Sequence, residues 1–267
     1  YKIGALETEI KSLKKAARQN VGPEILNRIE QIKKNGLLIL KDDFKIYWNE
    51  FPIAQLTPGK DYLNPDLKLI IDDMIENEDQ SKLTEYLIYW INNKISKDLK
   101  SLIDLKNLKE SNSNIRALAY QIYENNGVVK KEDVINFTRI LKQEDRKILR
   151  NFGVKFGRYH VFLYKLFKPS TVSLRLLLWK NFNQKHLDLI PPKFGLNFLK
   201  DKNFVDQNFM LICGFEKFDN FYVRIDILER LFLKIIDSDK NSKSEIKLTS
   251  QLMNLLGCNK ENFLKLI

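Results

Sequence analysis

Fourteen Lys and Arg residues fall between Lys130 and Lys185, against four acids, Glu132, Asp133, Glu144 and Asp145. From Arg146 to Lys185 there are ten basic residues and no acid. Aromatic residues are interleaved with them: Phe152, Phe156, Tyr159, Phe162, Tyr164, Phe167, Trp179 and Phe182. Cationic side chains attract phosphates by Coulomb forces and by releasing condensed counterions. Aromatic faces stack on unpaired bases. The chemistry this mixture suits is therefore non-covalent, the holding of a single strand by its backbone and bases. Arg146, Lys147, Arg150, Lys155, Arg158, Lys165 and Lys168 are the candidate phosphate contacts. Tyr159 and His160 are the candidate stacking groups, with a packed core residue as the equal alternative for His160. The rival for the whole run is a solvated lysine face over a core of Phe and Leu. Elsewhere acids and bases mix freely, within a total of 45 basic and 34 acidic residues and a net charge of +11.

Other chemistries lack their residues. A phosphate-cradling P-loop needs G-x-x-x-x-G-K-[ST], but Gly59-Lys60 is followed by Asp61. No G-x-G-x-x-G and no G-x-S-x-G occurs. The two histidines, His160 and His186, lack metal-ligand spacing to each other or to Cys213 and Cys258. No catalytic residue, metal ligand or cofactor site is therefore expected. The acidic pairs Asp42-Asp43, Asp72-Asp73 and Glu144-Asp145 read as helix-start acids favoured by the helix dipole. The cysteines read as reduced core residues of a cytoplasmic protein. No apolar run is long enough for a membrane span. The chain opens at Tyr1 and stops within the apolar pattern Phe263, Leu264, Leu266 and Ile267, which reads as a piece of a longer protein.

The elements that must position these residues are mainly helical. Two helices are expected over 1–35, separated by Gly22-Pro23. Alternation of Phe44, Ile46 and Trp48, then Phe51, Ile53 and Leu56, predicts a β-hairpin over 43–56, closed by Pro58-Gly59. Asn64-Pro65 is expected to open a helix with Leu67, Leu69, Ile70 and Met74 on one face. A longer helix carries Leu83, Leu87, Trp90, Ile91 and Ile95 toward Leu105. Another covers 113–125, stopped by Asn126-Gly127. Gln143–Asn151 reads as a short helix, 154–164 as an extended segment, and Pro169 as the start of the next helix. Pro191-Pro192 marks a connector over 185–205. A short strand at 222–224, a helix from Ile225 to Ile236 and a final helical pair around Gly257 complete the pattern. Three regions follow: 1–126, helical with the hairpin; 127–190, basic and aromatic-rich; and 205–267, a small C-terminal helical module.

Five segments, in order, resemble one family. They are "WNEFPIAQLTPGKDYLNPDLKLI" (48–70), "IRALAYQIYENNGVV" (115–129), "LRNFGVKFGRYHVFLYKLFKPSTVSLRLLLW" (149–179), "YVRIDILERL" (222–231) and "LTSQLMNLLGC" (248–258). Together they resemble the region after the motor in alphaproteobacterial ATP-dependent helicases related to the RNA helicase of the mitochondrial degradosome. Tyr164 stands where that family has Pro, and Phe167 where it has Leu. The resemblance implies a non-catalytic accessory region that holds single-stranded RNA or DNA for an upstream motor. ATP and Mg would belong to that motor alone. It carries no catalytic residue over to this chain. The alternative is a protein-interaction module that docks a nuclease or the helicase motor.

Overall fold

In the computed structural model, residues 38–48, 50–70, 77–109, 112–185, 187–200, 206–218, 220–239 and 250–266 are described. The expected helices over 1–35, Asp72-Asp73 and His186 lie outside them. The fold is mainly helical, with small antiparallel sheets. The chain divides into two units, Tyr1–Ile95 with Leu177–Leu187, and Ser96–Leu176 with Asp188–Ile267.

Alternating apolar residues make the first unit's sheet. β1 (Leu38–Leu40), β2 (Lys45–Trp48), β3 (Phe51–Asp61) and β4 (Asn64–Leu69) pair in sequence order as an antiparallel meander. Ile46, Ile53, Ala54, Leu56 and Leu69 are buried on it. The hairpin expected over 43–56 is present, but it is the middle of a larger sheet, and two readings need correction. Pro58-Gly59 lies inside β3, not at its end. A side chain on Gly59 would meet the Asn64 carbonyl, so glycine lets the two backbones close at the local register shift. Residues 64–69 form a strand and not a helix. Leu67 pairs with Leu56 and Leu69 with Ala54, while Asp66 and Lys68 point outward. Pro65 is tolerated because β4 is an edge strand. Asp42-Asp43 sits in the β1–β2 turn, not at a helix start, and the Asp43 carboxylate accepts from the Lys45 backbone N–H (3.2 Å). Helix α1 (Asn77–Asp98) buries Leu83, Leu87, Ile91 and Ile95 along one stripe. It is followed by α2 (Lys100–Lys106), and the unit boundary falls within α1.

The second unit has two three-stranded sheets. In the first, β7 (His160–Leu163) lies between β5 (Val128–Lys130) and β6 (Val154–Phe156). In the second, β10 (Phe221–Arg224) lies between β8 (Phe198–Lys200) and β9 (Phe215–Phe218). The 185–205 connector thus contributes a strand. Helices α3 (Ser113–Glu124), α4 (Ile135–Ile140) and α5 (Gln143–Asn151) surround the first sheet in sequence. A 3-10 turn (Tyr164–Phe167) then leads to α6 (Pro169–Asn183), within which the other unit boundary falls. After α7 (Gln207–Ile212) and the second sheet come α8 (Ile225–Asp239), α9 (Ser250–Leu256) and α10 (Lys260–Leu266). Val223, Ile227, Leu228, Leu231, Leu252, Leu256 and Phe263 form one buried cluster there, joined at its edge by Cys258. Fully burying such a side chain contributes about 1.5–3 kcal/mol. Cys213 is buried, and neither cysteine is in a disulfide. Among the described residues no helix is long and apolar enough to cross a membrane.

Candidate nucleic-acid interface

Antiparallel register sets which residues share a face of the β5–β7–β6 sheet. Val128, Phe162 and Lys155 align across it, as do Val129, Val161 and Phe156, and Lys130 opposes His160. Side chains alternate along a strand, so Lys130 and His160 share the face of Val128 and Phe162. That face meets Ile225 at the start of α8.

His160 is 1% exposed, and both of its ring nitrogens face carboxylates. Nδ1 lies 3.1 Å from Glu229 of α8, and Nε2 lies 3.0 Å from Glu216 of β9. Glu216 also pairs with Lys130 at 3.1 Å. Glu229 accepts the backbone N–H groups of Arg158, Tyr159 (2.9 Å) and His160 (2.8 Å) as well. Burial works against a charged imidazole, but the hydrogen bonds from Glu216 and Glu229 outweigh it and raise the His160 pKa above the usual 6.5. Burial likewise pushes both carboxyls up. Bonding to His160, with Lys130 for Glu216 and the three N–H groups for Glu229, overcomes that and leaves both below the usual 4.5. A ring protonated on both nitrogens donates to both carboxylates, and that is the form the raised pKa favours. A Cβ on Gly157 would lie 2.4 Å from the Glu229 carboxyl carbon, so glycine is what lets the loop close over that side chain.

The cations lie outside this network. Lys147, Arg150, Lys155, Arg158, Lys165 and Lys168 are exposed and Arg146 is half-buried. Among the described residues none of the seven pairs with a carboxylate. Arg146 and Arg150 of α5 both sit 5.7 Å from the centre of the Phe156 ring, and Lys155 sits 5.0 Å from that of Tyr164. Arg146 also donates to the Thr138 carbonyl (2.8 Å). Aromatic rings therefore space the cations where acids would otherwise do so.

Comparison with protein-family models, with curated proteins and with solved structures finds no match. The interface is therefore read from its own geometry.

Arg146 and Arg150 come together at Phe156, Lys155 stands at Tyr164, and Lys147 is exposed on α5. Arg158 and Tyr159 lie on the loop that Glu229 anchors, and Tyr159 is 47% exposed with its ring 4.5 Å from that of Phe232. Lys165 lies in the 3-10 turn and Lys168 directly follows it. The stacking role considered for His160 does not fit this geometry: the ring is buried and both nitrogens are engaged, so no base can reach it. Arg175 and Lys180 also leave the surface count. Arg175 is fully buried and donates to the carbonyls of Asn126 (2.7 Å) and Ile212. Lys180 is 9% exposed.

Sequence reasoning missed Glu216, Glu229, Gly157 and the pairing of Lys130. One signal was available for Glu229. It lies four residues after Ile225 and beside Leu228, on the apolar face of α8, where an acid requires a buried partner. Among the described residues no group of three or more His, Cys, Asp or Glu is arranged to hold a metal ion.

Proposed function

We propose that the second unit holds single-stranded RNA or DNA by its phosphates, as a non-catalytic accessory region of a cytoplasmic ATP-dependent helicase. The observation that carries this reading is the set of cations from Arg146 to Lys168, none of which pairs with a carboxylate among the described residues. A solvated surface gains little from leaving so many like charges unbalanced, whereas a polyanion neutralises them on binding. Aromatic rings among the cations favour a single strand over a duplex. The helicase setting rests on the five-segment resemblance, and hydrolysis of ATP would belong to the motor.

The test is binding of the whole chain to fluorescent 12-mer RNA across a salt series. Log affinity is expected to fall linearly with log salt, by about 0.7 per phosphate contact. Replacing Lys147, Arg150 and Lys155 together by Glu should weaken binding at least about tenfold and reduce the slope by about 2. Unaltered binding by that triple variant would remove these α5 and β6 cations from the interface.

A second reading, docking of a nuclease or of the motor, is favoured by the exposed apolar residues Ile190 (87%), Phe194 (53%) and Leu196 (41%). It requires association that changes little with salt and is lost on Ile190→Asp with Phe194→Asp.

A further inference from the structure

A cleft of about 440 Å³ opens beside the His160 network, lined chiefly by Lys130, Lys131, Ile135, Arg158, Tyr159 and Phe218. That volume falls within the range of about 300–1,000 Å³ typical of sites for one small ligand. Its lining is of two kinds, cationic and apolar. Lys131 Nζ lies 3.2 Å from the carbonyl of Gly157, the peptide that leads directly into Arg158. Lys131 and Arg158 both line the cleft, and among the described residues neither is paired with a carboxylate. Apolar groups share the lining. The Tyr159 ring is backed by Phe232 and remains about half exposed, and half-buried Phe218 and the exposed Ile135 line the same cleft.

Carboxylates near the cleft would repel an anion if left unbalanced. Glu216 is balanced by Lys130 at 3.1 Å and His160 at 3.0 Å. Glu229 is held by His160 and three successive backbone N–H groups. Glu132 is the one acid on the wall outside this network. The network therefore does two things: it removes the repulsion, and it fixes the 157–159 loop that presents Arg158 and Tyr159.

We propose that this cleft is a subsite for one unstacked nucleotide, with its phosphate between Lys131 and Arg158 and its base against Tyr159 and Phe218. The proposal rests on the strand-holding reading and adds a defined place for a single base. His160, Glu216 and Glu229 are positioning residues, which set the loop without touching the nucleotide.

The experiment uses the whole chain and an oligouridylate 12-mer, with and without one 4-thiouridine. Failure of the unaltered protein to bind at low salt would overturn the strand-holding reading. Where it binds, Tyr159→Leu keeps an apolar side chain against Phe232 and removes the stacking face. This variant should bind about 5- to 100-fold more weakly with a nearly unchanged salt slope. Photocrosslinks from 4-thiouridine should map to the peptides that contain Tyr159 or Phe218. Lys131→Glu should lower both affinity and slope. Full affinity in Tyr159→Leu, or crosslinks confined to 146–156, would overturn the subsite while leaving the basic face standing. A matched circular dichroism spectrum and melting temperature establish that each variant is folded.

Discussion

At the residue scale, the second unit holds a buried histidine whose neutral ring could donate to only one of the two carboxylates it faces. The His160 pKa is raised, so the stability it contributes is fully present below about 6.5 and is lost as pH rises through its folded value. Glu216 and Glu229 have lowered values, so their contribution is present above about 4.5 and is lost as pH falls through their folded values. Stability against denaturant is therefore expected to be greatest between these limits and to decline on both sides. His160→Gln should cost about 1.5–3 kcal/mol, because hydrogen bonding to two buried carboxylates is weakened, and should flatten the alkaline decline. Denaturant titrations at a series of pH values measure both effects. An alkaline slope equal to that of the unaltered protein would show that His160 is not the titrating group.

At the element scale, two helix starts are tied by one side chain. Asn112 Oδ1 accepts from the Asn114 backbone N–H (2.9 Å), capping α3. Its Nδ2 donates to Asp145 (3.0 Å), and Asp145 accepts the Lys142 backbone N–H at the start of α5 (2.9 Å). Glu144 and Asp145 are thus first-turn acids, as their sequence position suggested. Asn112→Ala is expected to destabilise the second unit by about 1–2 kcal/mol. Asn112→Asp retains the α3 cap but sets a second carboxylate beside Asp145, and should recover little of that loss. Equilibrium unfolding separates the outcomes: full recovery by Asp would mean that the tie to Asp145 contributes nothing. Since α5 carries Arg146, Lys147 and Arg150, this tie also sets where the cations stand.

At the scale of the whole molecule, a net charge of +11 draws any polyanion, and position must be separated from total charge. Lys60, Lys68 and Lys97 are exposed and lie on other elements. Changing these three to Glu alters net charge by the same amount as changing Lys147, Arg150 and Lys155. The α5–β6 set is expected to advance elution from heparin markedly more than the distributed set, because its cations lie on two adjacent elements. Equal elution would indicate attraction by net charge alone.

The sequence by itself placed helices over 113–125, over 143–151, from Pro169 and from Ile225 to Ile236, because apolar residues repeat every three or four positions between stop signals such as Asn126-Gly127, and the structure has helices at each of these places. It also exposed the acid-free stretch after Arg146, since charge is a property of each residue alone. Only the tertiary structure decided which strands pair, that residues 64–69 extend a sheet, and that Arg175 is buried. It alone brought Glu216 and Glu229 to His160, across 56 and 69 residues of chain. Periodicity reports which way one residue faces; a hydrogen bond between distant residues depends on two backbones meeting. For that reason His160 remained open between stacking group and core residue until its two carboxylates were located.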